Sequence, residues 1–378
     1  MQWLPSENKL SKAQNIVIDS LSSVEKGLIC GYPGTGKSVV LTYFAIQHSD
    51  DACILTFTHA LVDCIKDGLK KIDYSSIPVR TIHSFVFRPK HYKYLLVDEV
   101  QDLPKTINNV DVLQCLRSNC DHLIFAGDDS QSIYDQCVPF QEIKSGVSNE
   151  ARHELLVVHR MTEQMLGLLR KLFPNRCLKA KTAKQQDDVD IQMKFAKNLD
   201  LMYQWTYKQA TDYAQSGLPV VILFPSHQKI EEFRSALFPD APELNPPDFS
   251  KKQTPEKRAI LDRFNMAMAQ KGEKIRCLGH GAGNLEECDG AAVVYLMTCH
   301  SAKGLDFETA LIPGFTDIGS QNMLYVALSR ARRDLILVEV EQNKEKPICQ
   351  QLASLEFVKQ GIADPATFAE DDDGLYGF

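Results

Sequence analysis

Gly31, Gly34 and Gly36, followed by Lys37 and Ser38, form the run GYPGTGKS at residues 31–38, whose residue types and spacing suit the holding of a polyphosphate. Glycines let successive backbone amides turn inward around phosphate oxygens. At this spacing Lys37 reaches the β- and γ-phosphates, and Ser38 offers its hydroxyl to Mg²⁺. The whole run is assigned to nucleotide binding: Gly31, Tyr32, Pro33, Gly34, Thr35, Gly36, Lys37 and Ser38, with Val39 next in line. A kinase, a GTPase, a transporter subunit and a nucleic-acid motor all share this element, so a second one must choose among them.

That second element is YKYLLVDEVQD, residues 92–102. An apolar strand delivers Asp98 and Glu99 at its carboxyl end, where ligands bind in parallel α/β sheets. Asp98 is placed to hold Mg²⁺ through its water shell, and Glu99 to take a proton from an attacking water. A carboxylate pair there suits hydrolysis better than simple binding.

The elements that must position these groups are legible as short apolar, β-branched runs alternating with helical patterns. Strands are expected at residues 28–30, 52–57, 94–97, 123–126, 155–158, 220–224, 292–297, 309–312 and 335–338. Such alternation predicts an α/β chain of parallel sheets flanked by helices. GLIC before the glycine run and SVVLTYFAIQH after it supply the strand-loop-helix setting that a phosphate loop needs. The length of 378 residues allows two domains, and a net charge of -7 argues against a protein coated in basic surface. The 11 cysteines include no Cys-x-x-Cys pair, which argues against a structural zinc and fits reduced thiols. No apolar run approaches a membrane span and the amino end lacks signal-peptide character, so no membrane association and a cytoplasmic location are expected. The acidic run AEDDDG at residues 369–374 reads as a solvated end, and Trp3 and Trp205 as packing residues. GHGAGN at residues 279–284 lacks a Lys-Ser pair and reads as a turn; His91, His122, His153, His227 and His280 show no ligand spacing.

DEVQD followed by FAGDDSQSIY (residues 125–134) resembles motifs II and III of superfamily 1 helicases of the UvrD, Rep and PcrA type, and the remaining motifs follow in order. LSKAQ resembles the Q motif, LTFTHALVDCI motif Ia, TIHSF motif Ib, LLVVHR motif IV, LMTCHSAKGLDF motif V and MLYVALSRAR motif VI. The resemblance implies a P-loop NTPase of two tandem RecA-like domains, residues 1–150 and 151–378, facing each other across one ATP. It also implies site roles. Gln14 reads the adenine, His159 stands where a tyrosine usually stacks on it, and Gly304 and Asp306 lie near the ribose or the domain joint. Gln131 senses the γ-phosphate, and Arg160 and Arg330 project from the second domain as finger arginines. For the nucleic-acid track it implies Phe57, Thr58, His59, His83, Ser84, Tyr134, Thr298 and His300.

Departures from the family pattern matter too. The Trp-Arg pair that usually follows motif III is replaced by Asp135 and Gln136, which removes a stacking platform, with Tyr134 or Phe140 as substitutes. Asp306 stands where Glu is usual. The short stretch between TIHSF and LLVDE cannot hold a 1B domain, and the 135 or so residues between motifs IV and V leave room only for a small insertion at about 239–289. The leading expectation is an ATP- and Mg²⁺-dependent translocase or helicase on single-stranded DNA or a tailed duplex, running 3′ to 5′. The alternative is a nucleic-acid-responsive ATPase subunit of a defence or repair complex, signalling to a protein partner that supplies nuclease or strand-separation function. UvrD-like wording favours DNA over RNA.

Overall fold

The computed structural model describes residues 4–134, 136–176, 179–183, 190–285 and 292–368. Trp3, Asp135 and the acidic run at 369–374 lie outside the described residues. The chain forms two compact units: Gln2–Leu166 with Pro174–Gln185, and Gly167–Phe173 with Gln186–Phe378.

The first unit is built on six strands: β1 (Lys26–Gly31), β2 (Ala52–Thr56), β3 (Val79–Thr81), β4 (Tyr92–Val97), β5 (Cys120–Gly127) and β6 (Arg152–Leu155). Their order is β3-β2-β4-β5-β1-β6 and every pairing is parallel. β2 is buried along its whole length, which is why ACILT is a continuous apolar run rather than an alternating one. Leu28, Leu55, Leu95, Val97 and Phe125 of these strands share a core with Ile82 and Phe85 of a short flanking helix. Helices α1 (Lys12–Leu21), α2 (Lys37–Gln47), α3 (His59–Lys70) and α4 (Ile82–Phe87) supply the connections that matter for the site.

The second unit carries a seven-stranded, all-parallel sheet: β7 (Ile191–Ala196), β8 (Val220–Phe224), β9 (Ile275–Cys277), β10 (Val294–Thr298), β11 (Phe307–Pro313), β12 (Ala331–Val340) and β13 (Val358–Ile362). The order is β9-β10-β8-β11-β12-β7-β13. The expected α/β class, with parallel sheets flanked by helices, is therefore what the chain adopts.

Three expectations are corrected. The first unit does not end near residue 150 but runs on to Leu166 and takes back Pro174–Gln185. The cause is pairing: β6 lies parallel to β1, and Val157–Val158 then pairs with Lys181–Thr182. The single strand expected at 155–158 is thus two strands separated by Leu156. The stretch expected as a small insertion at 239–289, described as far as Leu285, packs into the unit. Its helix Thr254–Gln270 buries Ile260, Leu261, Phe264 and Met268 at helical spacing, and Leu261, Phe264 and Met268 join the core under β8 and β10. β9 follows and extends the sheet, so this stretch is integral to the second unit.

Candidate nucleotide site and nucleic-acid face

β1 ends at Gly31 and α2 begins at Lys37, so GYPGTGKS is the turn between a strand and a helix. Gly36, the residue that caps the helix, has no side chain to bond its first amides, which leaves them to an anion. Gly36 has φ 85°, and a Cβ there would meet Gln14 Nε2 at 2.3 Å. Only glycine fits that backbone and that approach. Lys37 folds over the loop, its ammonium donating to the carbonyls of Gly31 (2.8 Å) and Tyr32 (3.2 Å).

Gln14 is 4% exposed and both ends of its amide are engaged. Its Oε1 accepts the Ser11 amide at 2.8 Å in a capping box for α1, and its Nε2 donates to the Thr35 carbonyl at 3.1 Å. It therefore ties α1 to the phosphate loop.

β4 delivers Asp98 and Glu99 beside the loop. Asp98 is fully buried; its Oδ1 accepts the Glu99 amide at 2.9 Å, and its Oδ2 has no hydrogen-bond partner. Burial first, and then the neighbouring Glu99, push the Asp98 carboxyl up to about 6, against the downward pull of the Ser38 hydroxyl and Lys37. A buried carboxylate oxygen left over beside a serine hydroxyl fits a hard divalent cation. Leu55 pairs with Val97, which sets Thr56 level with Asp98, and Thr56 Oγ1 is likewise buried without a partner. Sequence reading missed Thr56, because a threonine at a strand end carries no signal of its own.

Glu99 adopts a left-handed backbone, φ 53° and ψ 42°. That conformation costs a non-glycine residue about 1–3 kcal/mol and marks a position held by its surroundings. One such hold is Gln101, whose Nε2 donates to Glu99 Oε2 while its Oε1 accepts the Asp128 amide at 3.0 Å. Asp128 in turn accepts from Gln131 Nε2 at 2.8 Å. Gln101 is a second residue that sequence reading passed over, although it stands inside DEVQD. Its approach needs Gly127, where a Cβ would lie 2.6 Å from Gln101 Oε1.

The same motif III segment continues into an aromatic cluster. Tyr134 lies 4.9 Å from Phe57, and Phe57 meets His83 edge-on at 5.8 Å. The structure thus brings together three of the expected nucleic-acid residues, from motifs Ia, Ib and III. His83, Ser84 and His59 are exposed, whereas the Thr58 hydroxyl caps α3 by accepting the Leu61 amide at 3.2 Å. Phe87, one turn beyond His83 on α4, is 63% exposed and was not singled out from sequence.

His159 and Arg160 were expected on the second domain; they belong to the unit of the phosphate loop. The His159 amide donates to the Gly34 carbonyl at 2.8 Å, and a Cβ on Gly34 would lie 3.3 Å from Arg160 Cβ. The β6 pairing carries this segment back to β1 before the chain leaves the unit.

In the second unit, Thr298 ends β10 and its hydroxyl accepts the Ser301 amide at 3.1 Å, with His300 exposed beside it. Gly304 has φ 81°, and Asp306 lies 3.7 Å from Arg332. Arg330 is expected to project from the second domain as a finger arginine. In its own unit it is 3% exposed and donates to the carbonyls of Val326 (2.9 Å) and Leu305 (2.7 Å) and to Ser329 Oγ (2.9 Å). A guanidinium beside open carbonyls satisfies them, which motif reading could not foresee.

A family model described as viral superfamily 1 RNA helicase core domain matches residues 27–239, and one described as UvrD-like helicase C-terminal domain matches residues 293–338. The RecBCD enzyme subunit RecB of Borreliella burgdorferi is 34% identical over 89 residues, 22% of this chain and 7% of that protein. The chain thus aligns with only a small part of that relative. A solved complex of arterivirus nonstructural protein 10 (helicase) with DNA is 14% identical, with a TM-score of 0.46 over 90% of this chain and 65% of that one. The PRRSV helicase is 14% identical, with a TM-score of 0.44 over 86% of this chain and 54% of that one. No helix among the described residues is long and apolar enough to cross a membrane. Because the viral superfamily 1 RNA helicase core model covers more than half of its residues, the chain belongs to the superfamily 1 helicases and is an NTP-hydrolysing enzyme.

Proposed function

We propose that the chain is an ATP-driven translocase or helicase on single-stranded DNA, moving 3′ to 5′, in which the nucleotide is bound at the phosphate loop and the strand at the Phe57, His83 and Tyr134 face. The observation that carries this reading is the continuity between the two places. Glu99 is bonded to Gln101, Gln101 to Asp128, and Asp128 to Gln131; Tyr134, three residues later, packs against Phe57 with the rings tilted by 38°. A strand that moves Tyr134 thereby bears on the residue that orients Glu99.

In this mechanism Lys37 exchanges its loop carbonyls for phosphate oxygens, and the α2 amides complete the cradle. Glu99 takes the proton of the attacking water, held in place by Gln101. Ser38 and Asp98 hold Mg²⁺, which when bound neutralises phosphate charge. Arg160, beside Gly34, and Arg330 stabilise charge in the transition state, Arg330 after release of its own carbonyls. Gln14 and His159 serve the adenine, and Gly304 and Asp306 the ribose side. Thr298 and His300 continue the track.

A second reading, a nucleic-acid-responsive ATPase subunit that signals to a partner nuclease, is favoured by one observation: only residues 88–91 separate α4 from β4, so no accessory domain can lie there. The relative named a subunit of RecBCD points the same way.

The test is steady-state ATP hydrolysis with no nucleic acid, single-stranded DNA, duplex DNA or single-stranded RNA, with Lys37→Ala and Glu99→Gln as blanks. Removal of the base should cost about 10²–10⁴ in turnover. Stimulation of tenfold or more by single-stranded DNA supports the proposal, and stronger stimulation by RNA replaces the track. A rate indifferent to every nucleic acid sinks it. Unwinding of a tailed duplex by the chain alone decides against the subunit reading.

A further inference from the structure

The second unit holds a second group of stacked rings, assembled from stretches that no motif covers. His227 opens the helix after β8, Phe249 lies in a short helical turn, and His280 sits in the loop Gly279–Gly283 after β9. The His227 and His280 rings stack at 5.4 Å with an interplanar angle of 25°. His227 lies 4.7 Å from Phe249, which is buried beneath the pair, and Lys257 Nζ lies 5.5 Å from the centre of the Phe249 ring. His280 is held at φ 50° between glycines of positive φ. The loop that carries it touches two other features: a Cβ at Gly279 would lie 3.5 Å from Ser301 Oγ, and one at Gly281 3.7 Å from Arg258 Cδ. Ser301 is the residue bonded to Thr298, next to exposed His300.

Both imidazoles are half-buried, so their rings present aromatic surface at the edge of a core that apolar residues fill elsewhere. The charges that act on His227 come from His280, Lys257 and His300. Burial, and then these neighbours, lower the His227 imidazole to about 4, so at neutral pH the ring is uncharged and suited to stacking. Lys257 and Arg258 provide positive charge beside it, although Arg258 shares some of its own with Asp262 at 3.4 Å. Neutral rings beside solvent-facing cations form the combination that single-stranded nucleic acids recognise without regard to sequence.

We propose that His227, His280 and Phe249, flanked by Lys257, Arg258 and His300, form a second stacking and phosphate-binding platform for single-stranded nucleic acid. It continues the track from Thr298 and His300 across the surface of the helix Thr254–Gln270. This rests on the proposed nucleic-acid reading and adds a contact region to it. The bases stack on the imidazoles, and the phosphates meet Lys257 and Arg258.

The experiment is fluorescence anisotropy of labelled oligo(dT) and oligo(U) against the full chain over a series of salt concentrations. The variants are His227→Ala, the pair Lys257→Glu with Arg258→Glu, and Phe57→Ala with Tyr134→Ala; thermal melting confirms that each is folded, and Met266→Gln, an exposed position on the same helix, is the control. The charge pair is expected to weaken binding at least fivefold and to reduce the slope of log K against log salt by about one to two. His227→Ala is expected to weaken binding at least threefold with the slope unchanged. If both leave affinity and slope at the wild-type values while the Phe57 and Tyr134 variant binds weakly, the second platform is overturned and the cluster is packing. If the wild-type chain binds neither oligonucleotide, the proposed function falls and takes the platform with it. The relative effects on oligo(dT) and oligo(U) assign the platform to DNA, RNA or both.

Discussion

Two aromatic groups in this molecule have nearly the same geometry and very different origins. In the first unit, Phe57, His83 and Tyr134 meet at 4.9 and 5.8 Å; in the second, His227, Phe249 and His280 meet at 4.7–5.9 Å. The first group lies on three motif segments that end strands or open helices of one sheet. The second is brought together from chain positions 22 and 31 residues apart that belong to no motif. Ring geometry alone does not distinguish function from packing. What differs is the surroundings: the first group is wired through motif III to Glu99, while the second is flanked by Lys257 and by Arg258, which pairs with Asp262.

The sharpest way to break this comparison begins with an arginine of the second unit. Arg330→Ala should reduce nucleic-acid-stimulated ATP turnover about 10³-fold or more if the side chain acts as a finger. Arg330→Lys should not restore it, because lysine lacks the planar fork. Its bonds to Val326, Leu305 and Ser329 predict a second effect, a lower melting temperature. Loss of melting temperature with turnover preserved assigns Arg330 to the core of its unit alone.

Next in size, Phe57→Ala combined with Tyr134→Ala should weaken binding to a single strand by about 1–3 kcal/mol for each base unstacked, read as Kd by anisotropy. Unchanged Kd with a lowered melting temperature would make the first group a packing cluster, and the contrast with the second would disappear.

The smallest expected effect concerns the wiring. Gln101→Ala leaves both strand and nucleotide groups in place but cuts the Glu99 to Asp128 connection. Stimulation of ATP hydrolysis by single strands should fall by about 5–150-fold, the range of an ordinary coupling energy, with nucleotide affinity retained. Equal stimulation in the variant would show that the two places communicate by another path, and would leave the two aromatic groups on the same footing.

The phosphate loop was readable because its requirements are local. Glycines at positions of positive φ, a lysine and a serine in the first turn of a helix specify a cradle within eight residues of chain. The carboxylates of DEVQD were readable for the same reason, since a strand must deliver them where the sheet ends. Central strands such as Val220–Phe224 stood out because both faces are buried and the run is continuously apolar. Edge strands did not: Val79–Thr81 and Ile275–Cys277 are three residues each and carry too little pattern.

The sequence by itself determined the class of fold and the strand-loop-helix setting of the proposed nucleotide site, because both follow from residue types at short spacing and from the period of apolar burial. Tertiary structure alone decided where the units part, that Arg160 stands beside the phosphate loop, that Arg330 is buried among carbonyls, and that the helix Thr254–Gln270 completes a core. Those outcomes depend on which strand pairs with which and on which carbonyls are left without partners. Pairing and partner choice join residues distant in the chain, and neither propensity nor spacing encodes them.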